Sequence, residues 1–350
     1  VTPDITTKPS ETVSYRGADD GGQPLWRKLV RWETALVFVL IAVLIFGSAK
    51  ESGFLDGTNF FYISLNMGEI AIMALPLTLI VMTGEIDLSV ASMLGLSGTV
   101  MGSLFHDGWS VWAAMAAALL VGAAGGALNG LLVAKMGLPS IAVTIGTLTL
   151  FRGLAEIVLA PRTITGFPIS LTKIGVVPVQ GTKIAWSALI FLVLAIIFGV
   201  VLHATALGRS IVAIGLQPEA ARFSGVRVDR IKFGLYVVSG VFCALAGILF
   251  TLKNSSVSYD AGTGLELNVV AIVLLGGVSI FGGRGTVIGV VLAVVIVGCL
   301  QQALTQMGVQ PEVQNIVTGS LLLVSVLVPN SGELVRRIRA RRRRGPVPAA

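Results

Sequence analysis

The chain has 350 residues, of which 54% are hydrophobic and only 12% charged, with a mean hydropathy of +0.89. A water-soluble domain carries about a quarter charged residues, so this composition excludes one and places most of the chain in a bilayer. The formal net charge of +7 comes largely from one late arginine cluster, and the 42 glycines suit helices that pack closely through small residues.

The opening residues are polar, rich in Thr, Ser, Asp and Gly, and read as a disordered cytoplasmic leader over 1–31, with no secretory-signal pattern. A transmembrane domain is predicted over 32–330, and a basic tail over 331–350. Measured against a hydrocarbon core about 30 Å thick, the apolar stretches predict helical spans. There are ten, at 34–49, 60–82, 88–105, 111–134, 139–159, 184–202, 233–252, 267–281, 287–303 and 313–328. Barrel strands would alternate polar and apolar residues and these segments do not, so the expected fold is an all-α integral membrane bundle of ten transmembrane helices. The eighth span is short and interrupted at Gly276 and Gly277.

Lys and Arg in short loops stay cytoplasmic, which orients the bundle. With both termini inside, that face receives Arg27, Lys28, Arg31, Lys135, Arg209, Arg222, Arg227, Arg230, Lys232, Arg284 and the arginines of 336–344. The opposite face receives only Lys50, Arg162, Lys173, Lys183 and Lys253. The arginine tail directly follows a span, so it reads as an anchor for acidic lipid rather than a nucleic-acid site.

Nothing in the chain points to catalysis. It has no phosphate-cradling G-x-x-x-x-G-K-[ST] loop, no H-E-x-x-H and no G-x-S-x-G. His106 and His203 are isolated, and Cys243 and Cys299 lie inside predicted spans without ligand spacing. We therefore expect no catalytic residue, no metal site and no cofactor in this chain.

Between the sixth and seventh spans lies a polar joint, 203–231, longer than a turn requires. Within it Pro218 suits a first helical position, Glu219 favours the positive end of a helix, Ala220 and Ala221 propagate it, and Gly225 stops it. A helix of about two turns is marginal alone, so it either packs on its own bundle or is held by a partner.

The string G-R-S-I-V-A-I-G-x-x-P-E-A-A-R-F-S-G-V at 208–226 closely resembles the cytoplasmic loop of permease subunits in ATP-binding-cassette importers of the ribose, xylose and rhamnose type. Three more strings match that family in order: G-E-I-D-L-S-V at 84–90, T-I-G-T-L-T-L-F-R-G-L at 144–154 and L-L-G-G-V-S-I-F-G-G-R-G-T at 274–286. The resemblance implies a permease of the bacterial inner membrane that is not itself an enzyme. It would pair with a second permease copy or a sister permease, with cassette subunits that bind ATP and Mg, and with an extracytoplasmic sugar-binding protein. Residues Pro218, Glu219, Ala220, Ala221, Arg222, Phe223, Ser224 and Gly225 would form the helix that couples to the ATPase. The strings look nearest to permeases for rhamnose-like deoxyhexoses, with ribose, xylose and the furanosyl autoinducer as neighbours. Glu85 departs from the family's usual glycine and adds a carboxylate without an assigned role. Gly282, Gly283 and Arg284 form the other motif joint.

A faint internal repeat accompanies the resemblance. Thr83–Ser89 before the third span resembles Thr263–Asn268 at the start of the eighth, and Met136-Gly137-Leu138-Pro139 resembles Met307-Gly308-Val309-Gln310-Pro311. Each pair falls on opposite sides of the predicted membrane, as an inverted-topology duplication requires.

Polar residues inside spans are candidates for a translocation path. Asn66 and Glu69 share a helix face with no evident basic partner, and we read them as lining the path. Arg152 and Glu156 are one turn apart, so they can pair with each other, reach the interface or line the path. Asn129, Thr144 and Thr147 offer donors to sugar hydroxyls, but equally act as hydrogen-bonding glue between helices. Asp87 and Ser89 suit capping of the third span. Three rival readings stay open: an ion-coupled secondary transporter using Glu69, Glu85 or Glu156; a membrane enzyme, which has no nucleophile–base or metal spacing in its favour; and a cassette permease for another solute such as an amino acid.

Overall fold

The computed structural model describes residues 32–325 and 327; the predicted leader, the arginine tail and the end of the last predicted span lie outside the described residues. Helices α1 (Trp32–Lys50), α2 (Gly57–Met82), α3 (Val90–His106), α4 (Val111–Gly130) and α5 (Ser140–Leu159) follow one another through short joints. A single π turn, Leu131–Lys135, extends α4. Next come strand β1 (Ile164–Thr165), α6 (Ile169–Val176), α7 (Trp186–Ala204), α8 (Ala206–Leu216), α9 (Pro218–Phe223) and α10 (Val228–Asn254). Strand β2 (Ser256–Val257), α11 (Leu265–Leu275), α12 (Val287–Gln306) and a last helix α13 over 311–325 complete the described chain.

The protein is an all-α membrane protein. Seven of its described helices are long and apolar enough to cross a bilayer, and α3 and α11 are shorter apolar helices. Backbone groups in hydrocarbon must pair within their own segment, and helices satisfy that requirement. A two-residue antiparallel pairing, Ile164 opposite Val257 and Thr165 opposite Ser256, is not foreseen by hydropathy. Nor are α6, of eight residues, and α8, an apolar helix of eleven residues that is too short to span.

Helix α2 is the axis of the molecule. Every residue from Met67 to Met82 is buried, as expected of a helix that is apolar on all sides. It packs against α7, α10, α11 and α12, while α1 lies against α12 and leaves most of its surface exposed. Pro76 sits inside α2. A proline there frees one carbonyl of the preceding turn, a defect that membrane helices tolerate through local adjustment.

The closest helix contact joins α4 and α10. Gly122, Gly126 and Gly130 recur every fourth residue of one helix face, and a Cβ at Gly122 or Gly126 would collide with the Gly240 or Tyr236 carbonyl. Gly240 meets Gly122 in the same way from the other side. Without side chains between them the two backbones approach to van der Waals contact, the main force available to helices already in lipid. Helix α3 uses the same device: Gly247 of α10 lies against the Leu94 carbonyl.

One predicted element is corrected. The sequence predicts the eighth span as helix over 267–281, but α11 ends at Leu275. Gly277 then adopts φ +83°, with the Trp32 indole where a Cβ would stand, and an irregular segment follows up to Val287. A left-handed glycine ends the helix, and of the apolar residues beyond it Val278 is buried while Phe281 is exposed.

Gly240→Val should therefore place a side chain inside the Gly122 backbone and lower the yield of monodisperse protein in detergent severalfold. Overpacking of this kind costs about 1–3 kcal/mol. Gly234→Ala, on the same helix where a Cβ meets nothing, should leave yield and thermal stability unchanged in size-exclusion and scanning measurements.

Candidate functional site

At one end of the bundle α2 stops at Met82, where Gly84 takes φ +82°, and the backbone runs without helical bonds to Ser89. Side chains from three other helices satisfy it. Ile86 donates its N–H to Ser140 Oγ at 3.2 Å, and its carbonyl accepts from Thr144 Oγ1 at 3.3 Å and Tyr236 Oη at 3.5 Å. Asp87 is buried, and its Oδ1 accepts from the Ser89 N–H at 3.0 Å and the Ser89 hydroxyl at 2.6 Å. Ser239 Oγ donates to Oδ2 at 3.2 Å, and Asn129 Nδ2 donates to Ser89 Oγ at 2.8 Å. A carboxylate at the positive end of α3, with charge-assisted hydrogen bonds, is favourably placed. Asp87 accepts from Ser89, the N-cap residue itself, so neither side chain makes a cap bond to the first turn of α3, and the Ser89 hydroxyl instead links Asp87 to Asn129. Glu85 is ion-paired with Lys232 of α10, which gives the departing carboxylate its role.

A second irregular joint, 276–286, is pressed against the first. Gly282 and Gly283 have φ +82° and +72°, and the Gly283 N–H donates to the Met82 carbonyl at 2.8 Å. Gly215, near the end of α8, is packed so tightly against Met82 and Gly283 that a Cβ would strike both backbones. Trp32 Nε1 donates to the Leu275 carbonyl at 2.8 Å, and Thr286 Oγ1 donates to Glu33 at 3.0 Å, so the start of α1 braces this joint. Arg284 is exposed, and its carbonyl accepts from the Ser279 N–H at 3.0 Å.

Beside these joints stands α9, six residues long with Pro218 at its first position. Gly225 takes φ +84°, its N–H donates to the Arg222 carbonyl at 2.9 Å, and the Val226 N–H reaches back to the Ala221 carbonyl at 3.0 Å. Ala221 is buried in a small cluster with Ile214 of α8 and Val228 of α10. Of the eight residues expected to couple to the ATPase, Ala221 is therefore turned inward and fastens the helix to its own chain. Phe223 is 91% exposed, and Pro218, Glu219, Ala220, Ser224 and Gly225 are exposed as well. Arg222 lies 3.9 Å from Glu219 and 2.5 Å from Asp229, tying α9 to the start of α10.

Inside the bundle the polar residues are more strongly partnered than their spacing indicates. Glu69 does have a basic partner, Lys253 Nζ at 2.9 Å, supplied by α10 at a separation of 184 residues. Asn66, read as sharing its face, is exposed while Glu69 is buried. Arg152 forms no pair with Glu156; its Nη1 donates to the Tyr259 and Ala261 carbonyls at 3.1 and 2.8 Å, and Glu156 is exposed. Thr144 also donates to the Ser140 carbonyl at 2.8 Å, and Thr147 to the Thr144 carbonyl at 3.4 Å. Asn129, Thr144 and Thr147 are all buried. The two joints of each repeated pair share their backbone geometry: Gly84 and Gly264 have φ +82° and +87°, and Gly137 and Gly308 have φ +70° and +71°.

Residues 59–326 match the family described as branched-chain amino acid transport system / permease component. The chain belongs to this permease family. It is 33% identical over 326 residues to the Autoinducer 2 import system permease protein LsrD of Escherichia coli (strain K12), a match covering 91% of this chain and 98% of that protein. The proteins of the same name from Shigella flexneri and Escherichia coli O157:H7 give the same identity and coverage. No solved structure matches. The motif strings and these relatives agree on a cassette-importer permease of the ribose type, a multi-pass protein of the bacterial inner membrane.

Sequence reasoning missed Lys232 and Lys253 as ion-pair partners of the permease because both sit near helix ends, where a lysine is unremarkable. The available signal was that two carboxylates, Glu69 and Glu85, lie in or beside spans and need neutralising. Lys253→Met should leave the buried Glu69 carboxylate unpaired, a change of about 3–5 kcal/mol that would appear as a sharp fall in membrane-inserted protein. The double variant Glu69→Gln with Lys253→Met should recover most of it; no recovery would mean that the lysine matters for something other than this pair.

Proposed function

We propose that the permease forms the membrane path of an ATP-binding-cassette importer for a small sugar, delivered by an extracytoplasmic binding protein and driven by cassette subunits that hold ATP and Mg. The observation that carries this reading is α9, a six-residue helix with Phe223 91% exposed, fixed to the chain through Ala221. Through Gly215 its neighbour α8 touches Met82 and Gly283, so movement of α9 is delivered directly to the two irregular joints at the membrane end. A second permease copy or a sister permease completes the path.

The relatives named for autoinducer 2 import favour a furanosyl or other sugar-like cargo, and the motif strings favour a rhamnose-like deoxyhexose or a pentose. The family description names branched-chain amino acids, which keeps that solute class as the alternative. An ion-coupled transporter is disfavoured by geometry. Two of the three carboxylates it would use, Glu69 and Glu85, are already held by lysines.

In this reading the chain crosses the membrane ten times, the seven long helices being joined by α3, α11 and the 311–325 helix, and the positive-inside rule puts both ends in the cytoplasm. Matching glycine geometry at paired joints supports an inverted repeat. Cysteines placed at Lys173 or Lys183, both exposed, should react with an impermeant thiol reagent in intact cells, and one at Arg222 should not. The opposite pattern would invert the molecule and remove the coupling assignment.

Phe223→Asp touches no span and should leave insertion unchanged. Stimulation of the cassette ATPase by loaded binding protein should fall at least tenfold in purified complexes, or the cassettes should fail to co-purify. Wild-type stimulation would reduce α9 to a surface feature.

A further inference from the structure

Between the start of α11 and the face of α13 lies a groove of about 320 Å³, at the end of the bundle opposite α9. It includes Asn268 and Asn315, two amides that make no side-chain hydrogen bond among the described residues. Asn315 is exposed and Asn268 half-buried. Thr263 and Thr318 line the same space with hydroxyls, and no acidic or basic residue does. Gly319 opens the wall, since a Cβ there would meet nothing within 4 Å.

An amide without a protein partner is stable in a membrane protein where water or a polar solute reaches it, and these two face the same groove near the starts of their helices. The groove descends α13 as far as Leu322, roughly 16 Å from the start of that helix at about 1.5 Å per residue. We infer that this groove is a water-filled segment of the solute path, and that Asn268 and Asn315 hold the hydroxyls of an uncharged solute. Leu267 and Leu322 supply apolar wall for the carbon face of such a solute. An amino acid would bring an ammonium and a carboxylate into a groove with no countercharge. The identity of the cargo as a sugar rests on the reading above; the wetness of the groove does not.

The test uses the full permease in intact cells with its native thiols removed by Cys243→Ala and Cys299→Ala, and with one new cysteine by Asn268→Cys, Asn315→Cys or Leu323→Cys. Leu323, 65% exposed, is the lipid-side control on α13. Cells are treated with the impermeant cation trimethylammonium-ethyl methanethiosulfonate, then denatured and counted for remaining thiol by a maleimide-polymer gel shift. Untreated denatured samples report the amount of inserted protein. More than half of the thiol should be consumed at 268 and 315, and less than a tenth at 323. Equal reaction at all three positions, or a disulfide joining position 315 of two copies in place of labelling, overturns the groove as a path. Uptake of D-ribose and L-rhamnose by the unaltered permease is read separately. Sugar uptake with a dry groove overturns the groove alone, and a wet groove without sugar uptake overturns the cargo alone. In a transporting system, Asn315→Asp should cut uptake more than tenfold while Asn315→Gln keeps at least half; equal loss in both would count against hydroxyl recognition.

Discussion

The structure depends on one constraint: backbone that leaves the helix within a membrane protein must have every N–H and C=O paired by something else. Two segments leave it at the same end, 83–89 and 276–286, and they press together while neighbouring helices supply hydrogen-bond partners to both. Gly283 donates to the last carbonyl of α2, Ser140, Thr144 and Tyr236 attend to Ile86, and Trp32 closes the end of α11. Because these bonds come from five separate helices, the joints cannot shift without moving the bundle. That makes them suitable receivers for a push applied outside the membrane.

Charge follows the same logic. Asp87 is held by hydroxyls and a backbone N–H, Glu85 by Lys232, and Glu69 by Lys253. In a low-dielectric setting an isolated carboxylate is unsustainable, so each has a partner from a distant part of the chain. Both lysines belong to α10, near its two ends, which makes α10 the electrostatic complement of α2 and of the joint that follows it. Its glycine contacts with α4 fix its position, and its first turn is bound to α9 through Arg222 and Asp229. A single helix thus holds α9 at one end and a buried ion pair near the other.

Helix α9 shows how a short helix becomes stable in context. Six residues that begin with a proline and are followed two positions on by Gly225 cannot hold a helix in water. Ala221 changes that by packing between Ile214 and Val228, at the cost of its own availability to a partner. Phe223 and the exposed first turn are left as the surface a partner can grip.

By itself the sequence determined the class: runs of apolar residues of bilayer length admit only helices, and turn chemistry located most of their ends. It also located α9, since Pro218 and Gly225 act on neighbouring backbone and need no tertiary partner. The four motif strings pointed to the family because motif joints are local in sequence. What tertiary structure alone decided is which polar groups meet. Glu69 with Lys253, Glu85 with Lys232, and Arg152 with the carbonyls of Tyr259 and Ala261 are joined across 107 residues or more. Helical spacing placed Arg152 beside Glu156, and packing sent it elsewhere. Spacing along one helix constrains only neighbours a turn apart, whereas the partner of a charge in a bilayer is whichever group the fold brings within hydrogen-bonding distance.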